Sequence, residues 1–363
     1  MKIVYVVEDF AMCGGVERIV SEKANRFSDY YGHDVTIISV YKDERSVNYS
    51  LSSSIKTIFL NVPMAKKSGN TLIMTFNRIH TLLKAVRKLN NTIKAINPDV
   101  IFFTTTLGAL LLPLCYTKAK KIYESHTARI FAPYNKLFFA TEHSANTIIC
   151  LTEGDSKNYK HAKEVKVIPN FIGEHGISVK DYSVHKSIAV GRLDYEKGFD
   201  ILINIWKTIV EKHPDWQLHI YGEGPLKDEL QKQIETCKLQ GKVILCGKYN
   251  NIMEKYSEYS LHLMTSRYEG LPMVLIEAQS CGLPSVVFDF KYGASDIITD
   301  GYNGILIEQS NVEEFIKATN NIMDNKNLRE QLGKKGIEMS SRFYAENIMP
   351  KWNEVLTNSH TYQ

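Results

Sequence analysis

The chain has 363 residues, 44% of them hydrophobic and 23% charged, which is enough for two domains with separate cores and excludes a disordered or fibrous class. Charge is unevenly placed: residues 1–172 hold 23 Lys and Arg against 14 Asp and Glu, leaving 21 against 26 in the remainder of a chain of net charge +4. The six cysteines, at positions 13, 115, 150, 237, 246 and 281, contain no C-x-x-C pair, so they read as small buried hydrophobes in a reducing compartment rather than part of a disulfide framework, with Cys13, which adjoins Gly14-Gly15, the partial exception.

MKIVYVVED begins as a strand, and Glu8 and Asp9 end its apolar run too early for a secretion signal. Gly14-Gly15-Val16-Glu17-Arg18 then opens a helix with Val16, Ile19, Val20 and Phe27 inward, and the paired glycines let a ligand approach the backbone closely. Many strand-to-helix turns carry such a pair, and Glu17 and Arg18 can equally pair with each other or with neighbouring turns. DVTIISV and SIKTIFL read as the next strands. Between residues 78 and 96, Ile79, Leu82, Leu83, Val86, Leu89 and Ile93 make a stripe at helical spacing beside Arg78, Lys84, Arg87, Lys88 and Lys94. That pattern describes a core-facing helix with a solvated basic face, with a helix lying on an anionic membrane surface as the alternative.

Residues 100–117 approach the length of a membrane span, but threonines, Gly108 and Pro113 interrupt them, so a buried strand and a short helix are expected. KKIYES is a strand, and His126 stands just past its end, on the rim where doubly wound sheets bind ligands; a lone histidine is more often structural. TIICLT and VKVIP complete a first α/β unit. Residues 173–186 lose apolar periodicity and read as a linker; SIAVGR, WQLHIYG, KVILCG, LHLMTS, PSVVF and GILIE then restart the strand pattern. A last helix includes Trp352. No basic stretch is interleaved with aromatics, and no nucleic-acid motif appears, so nucleic acid is not an expected partner.

The chemistry-bearing segments lie in the second unit. In SIAVGRLDYEKGFDILINIW, Arg192 and Lys197 stand in a glycine-bounded loop after a strand and can close on the two phosphates of a diphosphate, supplying the charge that Mg²⁺ supplies elsewhere. Asp194 and Glu196 in the same loop read as a solvated turn rather than a metal pair, and YGEGP at 221–225 is a further strand-end turn. In SRYEGLPMVLIEAQSCG, Pro272 suits the first position of a helix ending at Gly282. The N–H groups of Gly270, Leu271 and Met273 gather at its positive end, an anion site. Glu269 and Glu277 straddle that site, each displaced enough to accept hydrogen bonds from sugar hydroxyls, which outlines a sugar nucleotide.

With E-x7-E at Glu269 and Glu277, G-R-x4-K-G from Gly191, the early G-G-V-E-R, and the landmarks LTEGD, VIPNF and PDWQLHIYGEGP, the chain resembles glycosyltransferase family 4, retaining sugar-nucleotide-dependent enzymes of the GT-B fold. The resemblance spans nearly the whole length. It implies two Rossmann-like domains facing across a cleft: an acceptor-side domain at 1–172, a linker at 173–186, a sugar-nucleotide domain at 187–343, and a helix at 344–363 crossing back to the first domain. By the same resemblance Arg192 and Lys197 would hold the diphosphate, Glu277 the ribose, and Glu269 with Gly270, Leu271, Pro272 and Met273 the transferred sugar. His126 would contact that sugar near its anomeric carbon, Gly14 and Gly15 would lie by the phosphates, and Gly247 to Tyr249 would border the base. The implied donor is a UDP-sugar, with GDP open; no cofactor or metal is implied. The implied acceptor is a glycan or lipid-linked oligosaccharide of capsule, O-antigen or lipopolysaccharide synthesis. The implied location is the cytoplasm, at the inner face of an anionic membrane. A GT-B sugar-nucleotide epimerase and a non-catalytic GT-B binding subunit are the alternatives.

Overall fold

A computed structural model of the protein describes residues 1–357 except 13, 42–48, 66–68, 70, 132–136, 174–177, 180 and 250, so Cys13 and part of the expected linker lie outside the described residues. The chain divides into two compact units, Met1–Pro169 with Met349–Gln363, and Asn170–Ile348.

Among the described residues the first unit holds seven strands: β1 (Lys2–Val7), β2 (Asp34–Tyr41), β3 (Lys56–Val62), β4 (Val100–Thr104), β5 (Lys120–Glu124), β6 (Thr147–Cys150) and β7 (Val165–Val167). Its helices are α1 (Gly15–Asp29), α2 (Thr71–Ile96), α3 (Thr105–Leu111), α4 (Phe138–Ser144) and α5 (Glu153–Ser156). All pairings are parallel, in the order β3-β2-β1-β4-β5-β6-β7. β1 is central, and everything after Lys2 in it is buried, the continuous apolar run that a strand covered on both faces requires.

The second unit holds β8 (Lys186–Val190), β9 (Gln217–Tyr221), β10 (Val243–Gly247), β11 (Leu261–Met264), β12 (Ser285–Asp289) and β13 (Ile305–Glu308). They form a parallel sheet in the order β10-β9-β8-β11-β12-β13. Its helices are α6 (Phe199–Lys212), α7 (Lys227–Thr236), α8 (Ile252–Tyr256), α9 (Met273–Ser280), α10 (Ala294–Ile297), α11 (Val312–Asp324) and α12 (Lys326–Ser340). A last helix, α13 (Ala345–Thr357), begins in this unit, and its residues from Met349 onward belong to the first. Strand order reverses between β1 and β4 in one sheet and between β8 and β11 in the other, the points at which a parallel sheet opens a crevice at its carboxyl edge.

Three local readings change. Pro272 is the N-cap of α9, with φ −73° and ψ 102°, and Met273 is the first helical residue. The segment read as a linker packs against the second unit where it is described: the Tyr182 hydroxyl donates to Gly282 O at 2.8 Å, and the buried Arg329 guanidinium donates to Tyr182 O. The expected basic helix starts earlier, at Thr71, and its stripe splits. Leu89 and Ile93 are buried and Leu82 and Val86 pack on the core, while Ile79 and Leu83 join Leu72, Ile73 and Phe76 in an exposed apolar face. Periodicity reports which residues share a face, not whether a neighbour covers it.

α9 ends in a left-handed turn at Gly282 (φ +75°): the Gly282 N–H donates to Gln279 O and the Leu283 N–H to Ala278 O. α12 lies so close here that a Cβ on Gly333 would stand 2.2 Å from Gly282 O and 2.4 Å from the Tyr182 hydroxyl. Gly333→Ala is therefore expected to destabilise the second unit by about 1–3 kcal/mol, the usual penalty of overpacking, read as a lower urea midpoint at unchanged slope.

Candidate functional site

β8 and β11 are hydrogen-bonded neighbours, in register at Leu261↔Ser187 and His262↔Ile188, so the loops at their carboxyl ends emerge together. The loop after β8 carries Arg192 and Lys197, and the loop after β11 carries Glu269. The Lys197 ammonium donates to both Glu269 carboxylate oxygens, at 2.7 and 2.8 Å, and the Ser266 hydroxyl donates to Glu269 Oε1 at 2.8 Å. Residues read as separate contacts for phosphate and sugar thus form one partly buried pair.

Backbone packing fixes this geometry. A Cβ on Gly222 would lie 1.8 Å from Gly191 O, and one on Gly198 (φ +64°) 2.2 Å from Thr265 O. The YGEGP turn therefore carries the cationic loop: the Gly191 N–H donates to Tyr221 O at 3.0 Å and the Leu193 N–H to Glu223 O at 2.9 Å. Asp194 is not a solvated turn residue. Its carboxylate accepts the N–H groups of Glu196 and Lys197, capping the short turn at 195–197, and pairs with the Arg192 guanidinium. The Arg192 side chain is otherwise two-thirds exposed.

Sequence reasoning missed the residues that join the two loops. Arg267 donates to both Asp200 oxygens, at 2.9 and 2.6 Å, lies 4.0 Å over the Tyr195 ring, and donates to Tyr195 O; the Tyr268 hydroxyl donates to Glu196 Oε1. Their signal was available: opposite charges at the ends of two loops that adjacent parallel strands bring together. The fork-like Arg267 pair keeps Asp200 below its ordinary range: burial pushes the carboxyl up, and hydrogen bonding and charge from Arg267 outweigh it.

The Gly270–Met273 segment leads into α9. Pro272, the N-cap, has no side-chain acceptor with which to cap the first N–H groups, and the segment is tight enough that a Cβ on Gly293 would meet Gly270 O at 2.7 Å. Gly270 and Met273 are partly accessible, Leu271 and Pro272 buried. Glu277 sits one turn into α9 with its side chain buried. Gly247 ends β10 at φ +72° with open space where a Cβ would lie, and Tyr249 beside it is partly exposed, edge-on to Tyr221. Arg192, Lys197, Glu269, the α9 terminus and the Gly247–Tyr249 loop thus share the carboxyl edge of one sheet.

Gly14, Gly15 and His126 belong to the other unit. Gly14 is the N-cap of α1, and a Cβ there would meet the Glu17 carboxylate at 2.2 Å, while Gly15 faces open space. Burial pushes the Glu17 carboxyl up, and neighbouring His126 opposes that rise. His126 Nε2 lies 3.1 Å from Glu124 Oε1 at the end of β5, and the fully buried Lys23 ammonium pairs with the same oxygen. Lys23 lies on the stripe of Ile19, Val20 and Phe27, where a lysine requires a buried carboxylate; that was the readable signal for this pair. Burial pushes the Glu124 carboxyl up, but Lys23 and His126 outweigh it and hold it at about 2.

Residues 174–339 match the family described as "Glycosyl transferases group 1". Over 98% of this chain and 99% of the relative, the sequence is 29% identical to the amylovoran biosynthesis glycosyltransferase AmsD of Erwinia amylovora. Among solved structures it is similar to HepE of Anabaena in complex with UDP and glucose (TM-score 0.80, 18% identity, 98% of this chain and 99% of that one). It is also similar to the lipopolysaccharide outer core galactosyltransferase WaaB in apo form (TM-score 0.77, 19% identity, 99% of each chain). The fold is GT-B, and the sequence matches are to glycosyltransferases.

The Glu124 pair gives stability a defined pH dependence. A carboxyl of pKa 4.5 unfolded and about 2 folded contributes fully above about pH 4.5, and that contribution is lost as pH falls toward 2. Glu8 and Glu17, whose carboxyls burial raises, act in the opposite sense and gain on protonation. The difference between wild type and Lys23→Met/Glu124→Leu isolates the pair: whatever its value at neutral pH, the stability of wild type relative to the variant is expected to fall steadily between pH 4.5 and 2, measured by urea unfolding.

Proposed function

We propose that the protein is a retaining, metal-independent glycosyltransferase that moves a sugar from a UDP-sugar to a glycan or lipid-linked acceptor in cell-surface polysaccharide synthesis. The observation that carries this reading is the meeting of Lys197 and Glu269 beside Arg192 and the α9 terminus at the strand-order reversal of the second sheet. The ammonium of Lys197 has three protons, so a diphosphate can engage it alongside Glu269. Exposed Arg192 supplies the second cation, and the N–H groups at the start of α9 the partial positive charge. Glu269 then faces the transferred sugar, Glu277 the ribose, and the Gly247–Tyr249 loop the base. His126 contacts the sugar near its anomeric carbon, with Gly14 and Gly15 by the phosphates.

The reaction in this reading is front-face displacement, the leaving diphosphate helping to take the acceptor proton. The protein's part is to hold the donor and stabilise the charge that grows on the leaving group. The likeness to an amylovoran biosynthesis glycosyltransferase, a lipopolysaccharide outer core galactosyltransferase and a complex with UDP and glucose supports the donor and acceptor classes. An epimerase would need acid and base groups at the sugar C2, and incubation with donor alone tests for one.

UDP at about 100 times its dissociation constant is expected to stabilise wild type by roughly 2.7 kcal/mol in EDTA, seen as a raised melting temperature. Lys197→Ala should lose most of that shift and lower transfer at least tenfold, about half or more of the roughly 3 kcal/mol effect of removing one preorganised donor. Stabilisation of wild type only with Mg²⁺, or an unchanged rate in Lys197→Ala, would refute the assignment.

The membrane part of the proposal rests on α2. Among the described residues no helix is long and apolar enough to cross a membrane. The first half of α2, however, exposes Leu72, Ile73, Phe76, Ile79 and Leu83 beside Arg78, Lys84 and Arg87, a face suited to lie on anionic lipid at the cytoplasmic surface. Wild type is expected to co-sediment with phosphatidylserine vesicles at low salt, and Phe76→Ser/Leu83→Ser to bind at least tenfold more weakly with its melting temperature preserved.

A further inference from the structure

The first unit buries charges that the transfer reaction does not itself require. Lys23 is fully buried on α1, and its ammonium pairs with Glu124 Oε1 at the carboxyl end of β5 while lying 3.9 Å from the centre of the Trp352 ring and 5.6 Å from that of Tyr5. Glu124 is fully buried as well, and its Oε1 is the atom that His126 Nε2 approaches at 3.1 Å. The backbone around His126 is fixed independently. The Ser125 N–H donates to Ile149 O at 2.9 Å, the Ser125 hydroxyl to Thr127 O at 2.8 Å, and the Arg129 N–H to Asp155 Oδ1 at 2.8 Å.

A buried ion pair is poor value for stability, because desolvating two charges costs about as much as their attraction returns. What this pair supplies is direction. An ionised carboxylate held on one side by an ammonium can accept a hydrogen bond from an imidazole N–H on the other, which would fix both the ring orientation and the nitrogen that carries hydrogen. We infer that Lys23, Glu124 and Trp352 are positioning residues for His126: Trp352 seats the Lys23 ammonium on its ring face, Lys23 anchors Glu124, and Glu124 holds the ring with Nε2 protonated and Nδ1 turned away. The inference rests on the role given to His126 in the proposed reaction, but its geometry can be read without that reaction.

The test uses the full-length protein and Lys23→Met/Glu124→Leu, which replaces the ion pair by apolar groups of similar size and so keeps a folded unit. Side-chain nitrogen resonances of His126, recorded without donor, are expected to show Nε2 protonated in wild type and a mixture of tautomers in the double variant. Identical tautomers in the two proteins would overturn the inference, whatever the activity. With a UDP-sugar donor, the double variant should lose roughly 10- to 100-fold in kcat with little change in donor KM. Adding His126→Ala to it should cost nothing further, whereas multiplying losses would count against positioning. Lys23→Met/Glu124→Gln, which restores an acceptor without charge, should recover most of the rate. Trp352→Leu should lower kcat in wild type and leave the double variant unaffected; an equal loss in both backgrounds would remove Trp352 from the scheme. If His126→Ala alone turns over at the wild-type rate, the reaction role of His126 fails, and the resonances still decide the positioning.

Discussion

Adjacent parallel strands must release their following loops side by side, and β8 and β11 are adjacent. This constraint places Lys197 against Glu269 and Arg267 against Asp200 across about seventy residues of intervening chain. Surface ion pairs taken singly contribute little. Here several bridges act on two short loops whose backbones already touch through Gly191, Gly198 and Gly222, so each side chain has little freedom left to lose. Contacts within the protein alone hold these loops, and in the proposed reaction that would keep the cations fixed where negative charge grows.

The first unit reaches order by a different balance. One buried carboxylate serves an ammonium and an imidazole through a single oxygen, and aromatic faces from β1 and α13 surround the ammonium. Phe102 of β4 joins the same group, stacked on Tyr5 at 4.7 Å and edge-on to Trp352 at 5.8 Å. Polar specificity and apolar packing are therefore one structure here, and loss of either disturbs the other.

Legibility in the sequence followed the range of the interaction. Alternating strands and helices, the glycine turns and the stop at Gly282 were readable because backbone conformation is a local matter. Lys197 and Glu269 were readable as chemistry but not as partners, since which strands lie adjacent is settled by the whole sheet. Lys23 and Glu124 stand 101 residues apart, and only the lysine's place on an apolar stripe hinted at the pair. Asp194 was misjudged because a carboxylate in a charged loop looks solvated until its N–H donors are in view. In α2 the helix is legible, but the exposure of Ile79 and Leu83 within its apolar stripe is not, because periodicity does not report which half of a stripe is covered.

The place of Trp352 also has a bearing on biosynthesis. A ribosome releases the chain from its amino end, so Lys23 and Glu124 emerge more than two hundred residues before the ring that covers the ammonium. The first unit, although it begins to emerge first, lacks its residues from Met349 onward until the whole of the second unit has been made. A nascent chain that stalls after the second sheet carries a half-covered buried charge in its earlier-made unit, so completion of the first unit waits on synthesis of the second.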